Sequence, residues 1–319
     1  MNVTVLGCGR WGGFIGWYLA NHGHNVTQWG LENEPSFRVL KDTGRNEYVE
    51  LDKRIDLTSD LEKALEVSEV IIISISSQAL RSFMQTVTAY DVKNKIFVLC
   101  MKGIEESTGK RLSEVMRESG ISSDRIAVWV GPGHIQDFVA GIPNCMVIDS
   151  LNKDLTKFLA DSFTSDLIRF YYGNDMIGSE LGAAAKNVMG IAAGMLDGAN
   201  LSTLKGPLMA RGAREVARLI KAMGGNELSA YGLCHLGDYE TTLFSVHSHN
   251  RKFGEMLIKG EKFQKLAEGV KTSGALRKLG IMYGEELPIT NCVYGIVEEG
   301  KEPMAELKKL FERNLKNEF

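Results

Sequence analysis

The stretch "VTVLGCGRWGGFIGWYL", residues 3–19, joins a short apolar run to a helix-compatible run through a glycine-rich turn. Gly7, Gly9 and Gly12 have the spacing Gly-x-Gly-x-x-Gly, after a predicted strand and at the start of a predicted helix. Gly7 permits a tight turn, Gly9 lets the backbone approach a pyrophosphate, and Gly12 allows close packing of helix on strand. Because the free N–H groups of a helix N-terminus attract phosphate, we predict that this loop binds a dinucleotide.

Outward from this loop, short apolar runs alternate with helix-compatible segments over the first half of the chain. Several runs are almost continuously hydrophobic, which is typical of parallel strands covered on both faces. The predicted strands are residues 3–6, 25–29, 69–75, 95–100, 126–130 and 145–149. The predicted helices are residues 11–22, 59–67, 77–87 and 107–119. This order predicts an α/β fold with a doubly wound parallel sheet of the Rossmann type.

After residue 172 the strand-like runs disappear and long helix-compatible segments follow. These are residues 175–198, 205–224, 241–259, 262–279 and 303–316. Gly173 and Asn174 indicate a hinge. We therefore expect a dinucleotide-binding domain over residues 1–172 and an all-α substrate domain over residues 173–319. The last helix is predicted to bury one apolar face, formed by Met304, Leu307, Leu310 and Phe311.

Composition and charge are those of an ordinary globular protein. Of the 319 residues, 44% are hydrophobic and 24% are charged, and the formal net charge is −3. This balance gives no reason to expect nucleic acid or an anionic membrane as a partner. No apolar run reaches the length of a membrane span. The first residues run directly into a strand pattern, so we expect no targeting segment.

The five cysteines predict a reducing compartment and therefore a cytoplasmic protein. Their number is odd, they are scattered, and no Cys-x-x-Cys pair occurs. This pattern argues against a disulfide framework and against a structural zinc site. His235, His247 and His249 lack an acidic or thiol set that would complete a ligand group, so we expect no metal.

A lysine in the middle of a small, apolar helix raises a separate question. Within "SELGAAAKNVMGIAAG" (179–194), the helical neighbours of Lys186 carry no charge; they are Gly182, Ala183, Met189 and Gly190. One interpretation is a side chain that extends along the apolar face to reach water. The other is a lysine held in a cleft to exchange a proton. The helix alone leaves both open.

The residues that select the cofactor follow the second predicted strand. Glu32 lies 20 residues after Gly12, near where an acidic side chain bonds the ribose 2′-hydroxyl, which favours NAD. Arg10 in the glycine loop would instead support the 2′-phosphate of NADP. We therefore expect NAD(P)H, with the residues leaning slightly to NAD.

Six motifs together resemble the NAD(P)-dependent glycerol-3-phosphate dehydrogenase family in order and spacing. They are "GCGRWGG" (7–13), "CMKGIEESTGKRLSEV" (100–115), "GPGHIQDFVAGIPN" (131–144), "IGSELGAAAKNVMGIAAGMLDG" (177–198), "HLGDYETTLFSVHSHNRKFGE" (235–255) and "AEGVKTSGAL" (267–276). The resemblance spans nearly the whole chain. It implies a Rossmann domain followed by an all-α domain similar to that of 6-phosphogluconate dehydrogenase.

The resemblance also implies an activity, the interconversion of sn-glycerol 3-phosphate and dihydroxyacetone phosphate with NAD(P). It further implies a homodimer that supplies glycerol phosphate for phospholipid synthesis. The substrate would be a small phosphorylated molecule.

Particular residues take roles from the resemblance. Lys186 is at the position of the family's proton acceptor, and Lys102 is at that of a lysine that contacts both cofactor and substrate. Substrate contacts are implied for Lys102, Gly131, Asn187, Asp238, Ser248, His249 and Asn250. Cofactor contacts are implied for Gly7, Gly9, Arg10, Trp11, Gly12, Glu32, Lys102, Ile135, His249 and Glu268. Asp238 is at the position of the family's acidic substrate-site residue, which implies that it orients Lys186 or the substrate hydroxyls. Three residues have structural alternatives: a surface lysine at Lys102, a helix N-cap at Asp238 and a solvated helix residue at Glu268.

Three positions depart from the family pattern. His249 stands where the family has the first arginine of Ser-Arg-Asn-Arg, so a permanently charged, bidentate donor becomes a shorter, partly charged one. Either Arg251 or Lys252 assists His249, or the anion is held differently. Gly133 replaces a Ser or Thr after Gly-Pro, and Arg10 replaces a frequent Ser. These departures leave open a related dehydrogenase for another small hydroxy acid or sugar phosphate, and also a non-catalytic dinucleotide-binding regulator.

Overall fold

A computed structural model describes residues 1–315 and 317–318, and the chain folds into two compact units. The units are Met1–Lys102 with Lys110–Glu180, and Gly103–Gly109 with Leu181–Phe319. The sequence places the boundary between residues 172 and 173, just before the long helix within which this division falls. Which unit a segment packs on depends on tertiary contacts, so a change in sequence texture locates it only roughly.

In the described part of the chain, the first unit is built on an eight-stranded sheet. The strands are β1 (Asn2–Leu6), β2 (Asn25–Trp29), β3 (Asp56–Thr58), β4 (Val70–Ile73), β5 (Ile96–Leu99), β6 (Ile126–Val130), β7 (Asn144–Ser150) and β8 (Ile168–Tyr172). Their order is β3-β2-β1-β4-β5-β6-β7-β8, and β6 and β7 pair antiparallel whereas the other neighbours are parallel. The predicted doubly wound fold is confirmed, with one antiparallel pair that the sequence does not predict.

The sequence predicts six of these strands, and it misses β3 and β8. Strand β3 has only three residues, too few for a visible alternation. In β8, Ile168 and Phe170 are buried while Arg169, Tyr171 and Tyr172 are exposed. This half-buried pattern lacks the continuous apolar run by which the other strands are recognised.

Seven helices of the first unit connect the strands in the described residues. They are α1 (Arg10–Asn21), α2 (Pro35–Thr43), α3 (Leu61–Glu66), α4 (Leu80–Val87), α5 (Leu112–Glu118), α6 (Ile135–Val139) and α7 (Lys153–Phe163). The four predicted helices are present, while α2, α6 and α7 are not predicted. The centre of the sheet forms the core, where Val5, Ile72, Val98 and Trp129 are fully buried.

The second unit is helical, as the sequence predicts. Its helices are α8 (Met176–Gly198), which begins in the first unit, α9 (Lys205–Ala222), α10 (His249–Ile258), α11 (Glu268–Tyr283), α12 (Pro288–Val297) and α13 (Pro303–Phe311). Helix α12 is not predicted, because its ten residues are short for a periodic pattern to be recognised.

The predicted helix over residues 241–259 is wrong as a single helix. Glu240–Phe244 forms one π-helical turn, and α10 begins only at His249. There the Ser248 hydroxyl accepts a hydrogen bond from the Arg251 N–H and caps the new helix. A serine oxygen that competes for backbone N–H groups favours a helix start over a helix interior.

The last helix, α13, ends at Phe311, and the predicted end at residue 316 lies outside the described residues. Its predicted apolar face is buried only in part. Leu307 is 5% exposed, whereas Met304 and Phe311 are 47% and 64% exposed. Among the described residues, no helix combines the length and the apolar character needed to cross a membrane.

The small residues of α8 let other backbone segments pack directly on this helix. A Cβ atom at Gly194 would lie 1.8 Å from the Arg251 carbonyl oxygen, and one at Gly198 would lie 2.7 Å from that of Glu255. Lys186 lies on the same face of α8, about two turns before Gly194. We define the glycine face of α8 as Gly182, Gly190, Gly194 and Gly198.

Candidate functional site

The glycine loop connects β1 to α1, as the sequence predicts. Gly7 has a φ of +122°, and a Cβ there would lie 2.2 Å from the Ser74 carbonyl oxygen. A Cβ at Gly12 would lie 2.1 Å from the Gly7 carbonyl oxygen, so neither position tolerates a side chain. At Gly9, no described atom lies within 4 Å of the Cβ position, apart from the adjoining residues of the chain. Gly7 and Gly12 therefore shape the turn, while Gly9 leaves open space at the start of α1.

The residues at this helix start fit the pyrophosphate of a dinucleotide. Gly9 is the N-cap of α1 and has no side chain to accept from the first N–H groups, and the first turn contains no acidic residue. Backbone donors and the helix dipole there favour an anion. The Trp11 Nε1 donor is buried and has no hydrogen-bond partner among the described residues.

Lys102 and Gly131 follow β5 and β6, and the structure brings them into contact. Lys102 Nζ donates to the Gly131 carbonyl oxygen at 2.5 Å and lies 5.9 Å from the centroid of the Trp11 ring. That ring packs against Phe14 and Phe138, with centroids 5.2 Å and 6.4 Å away. The carboxyl ends of the strands are where doubly wound folds bind ligands. Lys102 is half-buried at this edge, which disfavours the surface-lysine alternative.

Gly133 has a steric reason to lack a side chain. Its φ is +154°, and a Cβ there would lie 2.3 Å from Cε2 of Phe138. The Phe138 ring is buried and stacks on Phe14 with centroids 5.1 Å apart. An aromatic ring therefore occupies the space that a serine or threonine would need. Ile135, the first residue of α6, is 4% exposed and packs in the same core.

The two residues considered for cofactor selection have different partners. The Glu32 carboxylate accepts from Lys41 Nζ at 2.6 Å, and both side chains are about half exposed. This hydrogen bond lowers the pKa of Glu32. The Arg10 guanidinium lies 5.0 Å from the centroid of the Tyr48 ring. The ionised carboxylate of Glu32 thus follows β2, and the Arg10 guanidinium of the glycine loop forms a cation–π contact with Tyr48.

Lys186 is buried, and its ammonium group is paired with a buried carboxylate. Lys186 Nζ lies 2.6 Å from Asp238 Oδ2 and donates to Thr242 Oγ1 at 2.9 Å. The side chains of Lys186 and Asp238 are 9% and 0% exposed. Its own helix supplies no counter-charge, as predicted, but a distant segment does. The ammonium group therefore meets a carboxylate and does not extend to bulk water.

Asp238 is held by its own segment. It ends the 3₁₀ turn Leu236–Asp238, and the Thr241 hydroxyl donates to its Oδ1. Both carboxylate oxygens are thus engaged by side chains, one by Thr241 and one by Lys186. These two bonds disfavour the N-cap alternative for Asp238.

A second contact joins predicted residues beside Lys186. Asn250 Nδ2 donates to Asn187 Oδ1 at 3.0 Å, and Asn250 Oδ1 accepts from the Gly269 N–H at 2.9 Å. Gly269 follows Glu268, the first residue of α11. A Cβ at Gly269 would lie 2.6 Å from the Asn187 carbonyl oxygen, so α11 begins in direct contact with α8. The structure brings the two asparagines and the start of α11 together.

The remaining predicted residues lie at the start of α10. The Ser248 hydroxyl is the cap of this helix, which is a structural use of a residue that the sequence assigns to substrate. The His249 ring is half-buried and lies edge-on to Phe263, with ring centroids 6.0 Å apart.

Arg251 and Lys252, considered as helpers of His249, are both engaged by acids. Arg251 Nε lies 2.6 Å from Asp197 Oδ2, and Lys252 Nζ lies 3.5 Å from a Glu255 carboxylate oxygen. The Arg251 ion pair is mostly buried, whereas Lys252 is about half exposed. Arg251 is therefore committed to holding α10 to the end of α8.

Sequence reasoning missed Thr242, His235 and Tyr239. Thr242 follows Asp238 by four residues, a spacing that puts both side chains on one side of a helical turn. This spacing could have indicated Thr242 from the sequence. His235 and Tyr239 have the same spacing and are both fully buried. Only their tertiary environment shows that they pair.

The arrangement around Lys186 is suited to proton exchange. A carboxylate balances the charge of a buried ammonium group, so the group is held in place without being exposed to water. A lysine of this kind can donate a proton to a developing alkoxide and, as the amine, accept one from a hydroxyl group.

Comparison with known proteins identifies the same family in both halves. The family model for the N-terminus of NAD-dependent glycerol-3-phosphate dehydrogenase matches residues 2–156, and that for the C-terminus matches residues 175–308. A glycerol-3-phosphate dehydrogenase (NAD(P)+) from Thermoanaerobacter sp. (strain X514) is 35% identical over 330 residues, covering 100% of this chain and 99% of the relative.

Two further comparisons agree. The enzyme of the same name from Moorella thermoacetica is 35% identical over 312 residues, covering 94% of this chain and 92% of the relative. The crystal structure of glycerol-3-phosphate dehydrogenase from Coxiella burnetii superposes with a TM-score of 0.91 at 27% identity, covering 98% of this chain and 99% of that one. The resemblance predicted from six motifs is confirmed: the chain belongs to the NAD(P)-dependent glycerol-3-phosphate dehydrogenase family.

Proposed function

We propose that Lys186 exchanges the proton while this chain interconverts sn-glycerol 3-phosphate and dihydroxyacetone phosphate. The chain is an NAD(P)-dependent oxidoreductase of the glycerol-3-phosphate dehydrogenase family, and its relatives carry that name. The observation that carries the proposal is the buried ion pair between Lys186 Nζ and Asp238 Oδ2, 2.6 Å long.

The side chains around Lys186 explain how the proton moves. When bound, NAD(P)H supplies the hydride for ketone reduction, and NAD(P)+ accepts it in the reverse direction. As the C=O bond of the ketone becomes a C–O single bond, the Lys186 ammonium group donates a proton to that oxygen. In alcohol oxidation the neutral amine takes the hydroxyl proton. Asp238 and Thr242 hold Nζ in one position through both directions.

We assign the cofactor to the glycine loop and to residues at the carboxyl ends of the strands. The open space at Gly9 and the N-terminus of α1 support a pyrophosphate there. The remaining proposed cofactor contacts are Gly7, Arg10, Trp11, Gly12, Glu32, Lys102, Ile135, His249 and Glu268. The ionised carboxylate of Glu32 favours NAD, because it would repel a 2′-phosphate.

The proposed substrate contacts are polar side chains and one backbone group. The contact between Asn187 and Asn250, next to Lys186, supports a polar substrate site on this side of α8. The full proposed set is Lys102, Gly131, Asn187, Asp238, Ser248, His249 and Asn250.

The chain is proposed to act in the cytoplasm, where it supplies glycerol phosphate for phospholipid synthesis. All five cysteines are thiols and four of them are buried, which suits a reducing compartment. The supply role follows from the product, since glycerol phosphate is the backbone of phospholipids.

We further propose a homodimer. The exposed apolar side chains of Met304 and Phe311 on α13 support pairing between copies of this chain. Sedimentation equilibrium of the purified protein would report twice the mass of the chain. A single-chain mass at micromolar concentration would contradict the dimer.

The function is tested by the oxidation of NADH and of NADPH that depends on dihydroxyacetone phosphate. The wild type is compared with Lys186→Ala, and with Lys221→Ala as a matched loss of an exposed lysine. We expect turnover in the wild type and the control, and a loss of kcat of about 1,000-fold or more in Lys186→Ala with cofactor binding retained. The ratio of kcat/KM for NADH and NADPH measures the cofactor preference.

Three results would contradict the proposal. If Lys186→Ala kept the wild-type kcat, Lys186 would not be the residue that exchanges the proton. If the wild type turned over no dihydroxyacetone phosphate, the departures at Gly133 and His249 would mark a different hydroxy acid or sugar phosphate. Tight cofactor binding without turnover of any alcohol would instead favour a dinucleotide-binding regulator.

A further inference from the structure

A buried histidine lies beneath the Lys186 ion pair and takes no part in the proposed reaction. His235 is 0% exposed, and its Nδ1 lies 2.9 Å from the Gly182 carbonyl oxygen on α8. Its Nε2 lies 2.6 Å from the hydroxyl oxygen of Tyr239, which is also 0% exposed. A Cβ at Gly182 would lie 3.0 Å from the Cβ of His235, so the glycine face of α8 admits the histidine.

The partners of the ring define its protonation. A carbonyl oxygen can only accept, so His235 Nδ1 carries the proton and donates it to Gly182. In a neutral ring Nε2 is then an acceptor, and the Tyr239 hydroxyl donates to it. Burial, together with the charge of Lys186, lowers the pKa of His235 to about 4, against the opposing effects of the Gly182 and Gly212 backbone hydrogen bonds and the Asp238 carboxylate. The ring is therefore neutral at neutral pH.

These bonds connect the two turns that carry the ion pair. The Gly182 carbonyl is the one that the Lys186 N–H addresses in a regular helix, one turn before the lysine. On the other side, the Asp238 N–H donates to the backbone carbonyl of His235 at 3.0 Å. One residue thus holds the Lys186 turn through its ring and the Asp238 turn through its backbone.

We propose that His235, held by the Tyr239 hydroxyl, is a positioning residue that sets the separation between Lys186 Nζ and the Asp238 carboxylate. The proposal deepens the proposed function and rests on the proton-transfer role of Lys186. Without the ring-to-carbonyl bond, the turn that carries Asp238 is attached to α8 only through the side chain of Lys186 and the contacts of Thr242, and the carboxylate moves relative to the ammonium group. A small displacement of a catalytic group costs much of its contribution to the rate.

Three charged groups surround the histidine and tyrosine. Lys186 faces His235 from α8, Asp238 faces it from its own turn, and Glu215 on α9 faces Tyr239. Glu215 accepts from the backbone N–H of Ile289 at 2.8 Å and so is engaged by the start of α12. A change in the position of His235 should therefore alter the titration of the Lys186 and Asp238 pair and leave Glu215 unaffected.

Two substitutions separate hydrogen bonding from packing. In His235→Asn, the side-chain amide can donate to the Gly182 carbonyl from the position of Nδ1. In His235→Leu, a side chain of similar size fills the space but donates nothing. Tyr239→Phe removes only the hydroxyl group. Each variant is checked for folding by circular dichroism and by its melting temperature.

The first readout is steady-state kinetics with dihydroxyacetone phosphate. We expect His235→Leu to lose about tenfold or more in kcat, with the cofactor KM within about twofold of wild type. His235→Asn should remain within about threefold of the wild-type kcat, as a rescue by the surviving donor. If His235→Leu kept the wild-type kcat, or if the two variants lost equal activity, the positioning role would be overturned.

The second readout needs no turnover. The titration of Lys186 is followed by the NMR signal of its ¹³Cε, assigned with Lys186→Arg. A displaced carboxylate stabilises the ammonium form less, so the midpoint in His235→Leu should fall by about half a pH unit or more, while that of His235→Asn should not move. An unchanged midpoint in a folded His235→Leu variant would mean that the histidine only packs.

The two readouts also separate this inference from the proposed function. Wild-type activity in Lys186→Ala together with the expected shift in His235→Leu would refute proton transfer by Lys186 but retain the positioning of its partner. A loss of activity in Lys186→Ala without a midpoint shift in His235→Leu would support proton transfer by Lys186 and refute the positioning role of His235. If His235→Leu does not fold, Tyr239→Phe replaces it, with a loss of about fivefold in kcat and a midpoint shift in the same direction.

Discussion

The glycine loop and the Lys186 ion pair are specified by the chain in different ways. Gly12 meets the carbonyl of Gly7 within the same loop, and Gly7 meets Ser74 at the end of a neighbouring strand. Lys186 instead meets Asp238 and Thr242, the latter 56 residues further along the chain. The shape of the loop is determined by the space available to its backbone. The ion pair is determined by a charged residue that is distant in sequence.

This difference explains why one site is visible in sequence and the other is not. Where a Cβ collides with backbone, residue type and short-range spacing carry the whole constraint. Where a charge needs a partner, any acid in the chain satisfies the chemistry, and only the packing of helices selects one. A motif therefore predicts the loop geometry, whereas the helix around Lys186 predicts only that the lysine lacks a local partner.

The largest expected effect comes from breaking the non-local site. Asp238→Asn leaves the Lys186 ammonium group buried without its counter-charge. We expect a loss of about 3–5 kcal/mol in the free energy of unfolding, and of about 100-fold or more in kcat. Urea denaturation and steady-state kinetics measure the two, and NADH binding should be retained.

The control for this variant is Asp56→Asn, which removes a carboxylate from an exposed ion pair with Lys63. It should change stability by less than about 1 kcal/mol. Equal effects of the two substitutions would mean that burial of the pair does not matter.

The next effect tests the local site, and the loop supplies its own control. Gly12→Ala forces a Cβ to within 2.1 Å of a backbone oxygen, and we expect it to cost about 3 kcal/mol of stability. Gly9 has a φ of −66° and open space, so Gly9→Ala should change stability by less than about 0.5 kcal/mol.

Cofactor binding should distinguish the two glycines further. In Gly9→Ala the methyl group occupies space proposed for the pyrophosphate, so NADH affinity should fall about tenfold while the fold is retained. Isothermal titration calorimetry measures this affinity. Unchanged affinity in Gly9→Ala would place the pyrophosphate elsewhere.

A third prediction concerns a non-local carboxylate in the first unit. Asp149 is fully buried, and its Oδ2 accepts from Ser179 Oγ at 2.7 Å and from the Asp175 N–H at 3.1 Å. Burial raises the pKa of Asp149 from 3.8 to about 6. The protonated form is therefore the one that folding favours, and its contribution to stability is fully present below pH 3.8 and lost as the pH rises through about 6.

The matched variant is Asp149→Asn, which keeps the shape and cannot ionise. Relative to wild type, its free energy of unfolding should rise by up to about 3 kcal/mol between pH 4 and pH 7, since a shift of one pKa unit is about 1.4 kcal/mol. Urea denaturation across this pH range measures the difference. A difference that does not vary with pH would show that Asp149 is ionised at no cost.

The smallest expected effect is at His249, where the sequence departs from the family. His249→Arg restores a permanent charge, and we expect the KM for dihydroxyacetone phosphate to fall about fivefold at pH 8. The gain should be smaller at pH 6, because an imidazole carries more charge there. A KM that is unaffected at both pH values would remove His249 from the phosphate site.

Much of the architecture was predictable from short-range patterns. The strands with continuous apolar runs and the glycine loop are confirmed, because burial on two faces and backbone space act on neighbouring residues. Errors arise where local signals conflict or are weak. Residues 241–259 have helical periodicity, but Ser248 starts a new helix there. Strand β8 is half-exposed and shows no apolar run.

The candidate site divides along the same line. The family resemblance identified Lys186 and Asp238 and left open whether Asp238 orients the lysine or the substrate, and the structure shows the contact with the lysine. Sequence reasoning missed Thr242 and the pair of His235 and Tyr239. These side chains meet because the glycine face of α8 lets other segments approach closely. Which segment approaches is decided by the packing of the whole helical unit.

The sequence by itself determined the family, the alternation of strands and helices in the first half followed by helices in the second, and the backbone turn at the start of α1. It did so because glycine spacing and hydrophobic periodicity express steric and solvation rules that act within a few residues. Only the tertiary structure decided which carboxylate neutralises Lys186, which ring fills the space beside Gly133, and which acid engages Arg251. Charge pairing and close packing depend on distances between remote segments, and those distances exist only once the chain is folded.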